Sequence, residues 1–213
     1  MTAFFLSLMI GPRMIVWLKS LQGSGQPIRT DGPETHQKKA GTPTMGGLMI
    51  LISVTVSTVL WAVPSNPYVW IALLVMVGFG SLGFMDDYLK LTKRNTAGLS
   101  GKKKLIGQTL ISLIATMGIV YCLPKDIATD VAIPFFKSFF VPLGVFFFLW
   151  SILVMIGASN AVNLTDGLDG LAIVPVAIAA ACFGLIAYLV GRVDFSEYLQ
   201  IPYVPGTAEL AIL

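Results

Sequence analysis

Long stretches without a single charged side chain constrain this chain more than any other feature. Ala40 to Met85, Leu105 to Pro124, Ser138 to Thr165 and Gly170 to Gly191 contain no Asp, Glu, Lys or Arg. A hydrocarbon core about 30 Å thick is crossed by ~20 apolar residues of helix, and each run supplies them. The first supplies two spans, because its centre, "VPSNP" at Val63 to Pro67, carries two prolines and an Asn that stop one helix and start another. Such runs leave too little polar material to cover a soluble core. The chain of 213 residues is 55% hydrophobic and only 12% charged, with a mean hydropathy of +0.81. Outer-membrane strands fit poorly, since the runs are unbroken and lack the alternation of lipid-facing and lumen-facing residues. The expected fold is all-α, a polytopic integral membrane helix bundle forming a single transmembrane domain over residues 1–213.

Spans are expected at 1–18, 45–63, 68–86, 104–123, 138–157 and 167–190, with a stub from 206. That makes about five complete spans and partial ones at both ends. Cys122 and Cys182 fall inside spans at no metal-ligand spacing and read as small apolar packers. The N-terminus lacks a basic n-region and a cleavage site, so it reads as the end of a span running into a basic loop.

Loop charge alternates along this layout. Lys19, Arg29, Lys38 and Lys39 lie in the first loop, and Lys90, Lys93, Arg94 and Lys102 to Lys104 around the second; the opposite loops carry only Lys125, Lys137 and Arg192. The positive-inside rule places the first set in the cytoplasm. The connection after the 138–157 span then falls on the same side. Three polar clusters, "KKAGTPTMGG", "MDDYLKLTKRNTAG" and "NAVNLTDGLDG", therefore converge on one membrane face.

Each cluster has a plain reading beside a chemical one. Asp86 and Asp87 end a span with Lys90 one turn on; acids at a helix C-terminus oppose its dipole, so lysines or a metal-bound substrate must compensate them. The plain alternative is a solvated helix end paired with Lys90. Asn160, Asn163, Asp166 and Asp169 recur every third residue. If helical they form a drifting polar stripe, while Gly167 and Gly170 favour a break into a turn. Polar groups at a membrane edge are costly unless they face a cavity or partner, and acids and amides suit a Mg²⁺-nucleotide or a base edge. In the first loop, lysines, Thr42, Thr44 and glycines before a helix start suit phosphate, or simply flank the membrane. Lys102 to Lys104 read as an anchor to anionic lipid, and His36 as a solvated loop residue. Cations, carboxylates and little covalent machinery are what phosphoryl transfer needs.

Together, "DGPETHQKKAGTPTMGG", "GFMDDYLK" and "NAVNLTDGLDGLA" resemble the bacterial phospho-N-acetylmuramoyl-pentapeptide transferases of the polyprenyl-phosphate phosphosugar transferase superfamily. The resemblance runs from about Gly11 onward. It implies transfer of phospho-MurNAc-pentapeptide from UDP-MurNAc-pentapeptide to undecaprenyl phosphate, yielding lipid I and UMP for peptidoglycan synthesis. It also implies Mg²⁺ as cofactor, a bacterial cytoplasmic membrane location with cytoplasmic active-site loops, and often a homodimer; no nucleic-acid partner is expected. Carried over by motif, Asp86 and Asp87 are catalytic. Lys39 and Thr44 serve the phosphate and nucleotide region, and Asn160, Asn163, Asp166, Gly167, Leu168 and Asp169 line the nucleotide side. The family's metal-ligating Asp and a histidine cluster belong to loops beyond Leu213. The chain therefore reads as an N-terminal part, expected to be inactive or nearly so alone. A sister transferase using UDP-GlcNAc is the nearest alternative, disfavoured by the first-loop motif. A secondary transporter would instead place its polar groups near the bilayer midplane with access from both sides.

Overall fold

The structure, a computed structural model, describes residues 1–22, 45–93, 98–133, 136, 139–166 and 170–213. It is an all-α polytopic membrane architecture. The helices are α1 (Thr2–Gln22), α2 (Gly47–Trp61), α3 (Pro67–Lys93), α4 (Gly101–Cys122), α5 (Phe146–Thr165), α6 (Ile173–Val190) and the short α7 (Val193–Leu199). Among the described residues, α1, α3, α4, α5 and α6 are long and apolar enough to cross a bilayer, while α2 is a shorter apolar helix. None of the apolar window of α5 or of α6 is buried in protein, as befits side chains meant for lipid.

Two boundaries differ from the sequence expectation in ways that move the polar clusters. The span expected at 138–157 is displaced to α5, Phe146–Thr165. The residues ahead of it form an antiparallel pair, β1 (Asp130–Ala132) with β2 (Phe140–Pro142), in the register Asp130↔Pro142, Val131↔Val141 and Ala132↔Phe140. Pro142 cannot continue a helix, and Gly144 turns the chain at φ +52°. The uncharged run is long enough for either placement, so the breakers decide, and they push the helix toward Thr165. The second difference is that α3 runs on to Lys93 rather than stopping at 86. Further on, the stub expected from 206 is a 3₁₀ helix, Thr207–Ile212, entered through Gly206 at φ +86°. Cys122 and Cys182 are free thiols.

The chain divides into two compact units, Met1–Leu60 with Met76–Gln108, and Trp61–Val75 with Thr109–Leu213. In the first, helices approach closely through small residues: a methyl built on Gly80 would meet Leu51 at 2.9 Å, and one on Gly107 would meet Leu82 at 2.8 Å. Membrane helices, lacking a hydrophobic drive toward each other, gain their contact from such packing. In the second unit the "VPSNP" turn is knitted by side chains. Asn66 caps α3 by accepting the Tyr68 N–H at 3.0 Å, with Pro67 at the first helical position. The Asn66 amide donates to the Gly206 carbonyl at 2.7 Å, and the Tyr68 hydroxyl donates to the Cys122 carbonyl at 3.1 Å.

Candidate functional site

In the first unit, the last two turns of α3 carry the acid pair. Lys90 sits between the two carboxylates: its Nζ lies 2.7 Å from Asp86 Oδ2 and 3.2 Å from Asp87 Oδ1. Both pairings follow from helix geometry, because residues three and four apart share a face. The expected dipole penalty is relieved by the extension of α3, which places the acids ahead of the final turn and puts Lys90 and Lys93 within it. The plain alternative named above, a pairing with Lys90, is thus present, and it involves both acids.

A second contact sets Asp86 apart. The backbone N–H of Leu99 donates to Asp86 Oδ1 at 2.6 Å. The Asp86 side chain is 20% exposed and that of Asp87 36%. Asp86 is therefore held on both oxygens, from its own helix and from the chain entering α4, whereas Asp87 meets Lys90 at longer range and faces outward more.

The second unit carries the other cluster. Asn160 and Asn163 are helical, in the final turns of α5, and Asp166 is the residue that caps it. The helical alternative for this stripe holds as far as Thr165. The part-buried Asn160 donates its side-chain amide to the Ile156 carbonyl at 3.0 Å. Asn163 and Asp166 are exposed, and the Asp166 backbone N–H donates to the Val162 carbonyl at 3.0 Å. Gly170 then turns at φ +79°. Lys39, Thr44, Gly167, Leu168 and Asp169 lie outside the described residues, as does His36. Among the described residues no group of three or more His, Cys, Asp or Glu is placed to hold a metal ion.

The family model for Glycosyl transferase family 4 matches residues 69–204, a stretch that contains both clusters. The chain belongs to glycosyl transferase family 4. Within the family, the phospho-N-acetylmuramoyl-pentapeptide-transferase signature 1 matches residues 39–51 of this member, taking in Lys39 and Thr44. Two curated relatives named phospho-N-acetylmuramoyl-pentapeptide-transferase align with the whole chain. The protein from Granulibacter bethesdensis is 56% identical over 213 residues, and that from Maricaulis maris 53% over 218. The chain spans about 59% of the length of each. The sequence marks the acids of this family 4 chain but gives no sign of a role for Gly98 or Leu99. Gly98 closes the "MDDYLKLTKRNTAG" stretch, yet nothing in the letters distinguishes it from neighbouring Gly101.

Proposed function

We propose that this chain supplies the acid pair and part of the nucleotide side of an enzyme that transfers phospho-MurNAc-pentapeptide from UDP-MurNAc-pentapeptide to undecaprenyl phosphate. The observation carrying the reading is the Asp86, Asp87 and Lys90 cluster at the charged end of an apolar helix, in a chain 56% identical to a protein of that activity's name. A lipid phosphate sits at the bilayer edge and a nucleotide arrives from water. Such a helix end is where the two meet. The cytoplasmic side is the one favoured by loop charge, since Lys19 lies in the last turn of α1, Lys90 and Lys93 in that of α3 and Lys102 to Lys104 in the first turn of α4, ends that an alternating topology puts on one side.

The reaction makes one phosphorus–oxygen bond and breaks one. An oxygen of the acceptor phosphate attacks the donor's sugar-bearing phosphorus, the bridge to the uridine-bearing phosphate breaks, and UMP leaves with its electron pair. A phosphomonoester has a second pKa of ~6 and is largely dianionic at neutral pH, so Asp86 is not required to remove a proton. A carboxylate and a dianion can each only accept hydrogen bonds, so Asp86 places the attacking group by aiming the Lys90 ammonium, which has three donors and also offsets the negative charge that two carboxylates and a phosphate would otherwise concentrate. Asn163 and Asp166 are accessible to the nucleotide, with Asn160 supporting that helix end. Lys39, Thr44, Gly167, Leu168 and Asp169 join the nucleotide and phosphate side by motif.

Mg²⁺ is the proposed cofactor. It binds through one or two carboxylates together with substrate phosphates, and the acid pair supplies hard oxygen donors of that number. Asp87, less engaged than Asp86, would add a carboxylate to the metal-ligating Asp that the family resemblance implies beyond Leu213. When bound, the ion would neutralise phosphate charge.

UMP release tests the reading. The chain would be assayed alone and joined to the C-terminal remainder of the Granulibacter relative, each with undecaprenyl phosphate and Mg²⁺. The joined chain is expected to turn over UDP-MurNAc-pentapeptide and not UDP-GlcNAc. Turnover of UDP-GlcNAc alone would reassign the donor, and silence with both would overturn the reading.

A further inference from the structure

Asp86 is gripped by a backbone segment whose close approach depends on one glycine. Leu99 can bring its N–H to 2.6 Å from Asp86 Oδ1 only because Gly98 does two things at once. It adopts φ +53°, a left-handed conformation that L side chains rarely take. It also leaves empty the space a Cβ would fill: such an atom would overlap Asp86 Oδ1 and come within 2.8 Å of Lys90 Cε and 3.0 Å of Asp86 Cγ. An alanine there would press on both members of the ion pair.

The bond matters because of what Lys90 cannot do. The carboxylate torsion of an aspartate is broad and roughly two-fold, and a lysine on a flexible stem holds one oxygen without fixing the plane. A second donor on the other oxygen, from main chain, does fix it. A carboxylate has about four lone-pair sites, so two bonds leave Asp86 with acceptor capacity in a set direction.

Resting on the function proposed above, we infer that Gly98 is a positioning residue. By admitting the Leu99 N–H to Asp86, it fixes the carboxylate plane and so makes Asp86 the oriented acid of the pair and Asp87 the adaptable one. Gly101 provides the control. It lies three residues on, and a Cβ there meets nothing within 4 Å.

The test has two arms. In the chain labelled with ¹⁵N-leucine, the Leu99 amide, assigned by its disappearance in Leu99→Val, is expected to move upfield in Asp86→Asn, whose weaker acceptor replaces the carboxylate. Gly98→Ala should move it likewise. In the chain joined to the relative's remainder, Gly98→Ala should lower kcat by about tenfold or more, the scale of a misplaced group, with donor KM within about twofold. Gly101→Ala should leave both parameters unchanged. A Leu99 amide indifferent to Asp86→Asn overturns the inference whatever the activity, and that arm does not depend on Gly98→Ala folding. An unchanged kcat in folded Gly98→Ala overturns it too. Silence of the unaltered joined chain overturns the function proposal instead, leaving the amide to decide the contact.

Discussion

The acid pair of α3 and the polar end of α5 are both membrane-edge clusters, yet they are built on opposite plans. Asp86 has each oxygen engaged by another part of the first unit, the Lys90 ammonium and the Leu99 N–H. Asn163 and Asp166 instead present their side chains outward from the last turn of α5. A group fixed before substrate arrives suits a role in geometry, where a misplacement of about 1 Å can cost a hundredfold in rate. A group left outward suits a role in holding a soluble ligand. On the proposed function, the contrast divides the two clusters into orienting and binding roles according to how many partners each side chain has among the described residues.

The sharpest way to break this contrast is to remove one charge from each cluster and compare kinetic parameters. Asp86→Asn in the joined chain is expected to lower kcat by about a hundredfold or more, as the positioning of the attacking phosphate is lost. Asp166→Asn is expected to raise the donor KM by about tenfold while kcat stays within about threefold, the pattern of lost uniform binding. Initial rates of UMP release across donor concentrations decide it. If both substitutions act on the same parameter, the division of roles fails.

Asn66 sharpens the contrast from outside both clusters. Asn66→Ala deletes the cap of α3 and the bond to the Gly206 carbonyl, each contributing about 0.5–2 kcal/mol. The expected result is a lower midpoint of thermal unfolding in detergent, with kcat and donor KM of the joined chain unchanged. A kinetic defect at constant stability would show that this turn reaches a site, contrary to its assignment as scaffold.

Much of this was legible in the letters, for a physical reason: uncharged runs and the proline-bounded turn report directly on transfer to lipid and on broken helices. Helices stand near the expected positions of the other complete spans, although α2, Gly47–Trp61, is shorter than a span. The displacement of α5 was not read, because a run longer than one span fits a helix in more than one register, and Pro142 with Gly144 had to be weighed against the apolar residues before them. Two acids near the end of a span with Lys90 one turn on were legible from spacing, and the pairing is present, whereas the role given to Asp86 and Asp87 rests on the family resemblance. The Leu99 contact did not, since a main-chain donor has no letter of its own and Gly98 resembles any loop glycine until its φ and its neighbours are known.

The smallest effect expected concerns Lys90. Lys90→Met removes pairs that are part-exposed on both sides, so stability should change by less than about 1 kcal/mol. Its consequence should be seen in the acceptor. Without the ammonium, two adjacent carboxylates meet an incoming lipid phosphate, and the repulsion reaches as far as the Debye length allows. That length falls from about 30 Å at 0.01 M salt to about 8 Å at 0.15 M. The acceptor KM of Lys90→Met should therefore be raised by about threefold at the lower salt and recover toward the unaltered value at the higher, whereas Asp86→Asn, a defect of geometry, should keep its loss of kcat at both. Titrating undecaprenyl phosphate at the two ionic strengths separates these cases. A Lys90→Met defect that ignores salt would mean the ammonium acts by fixing Asp86, which would pass the orienting role from Leu99 to Lys90.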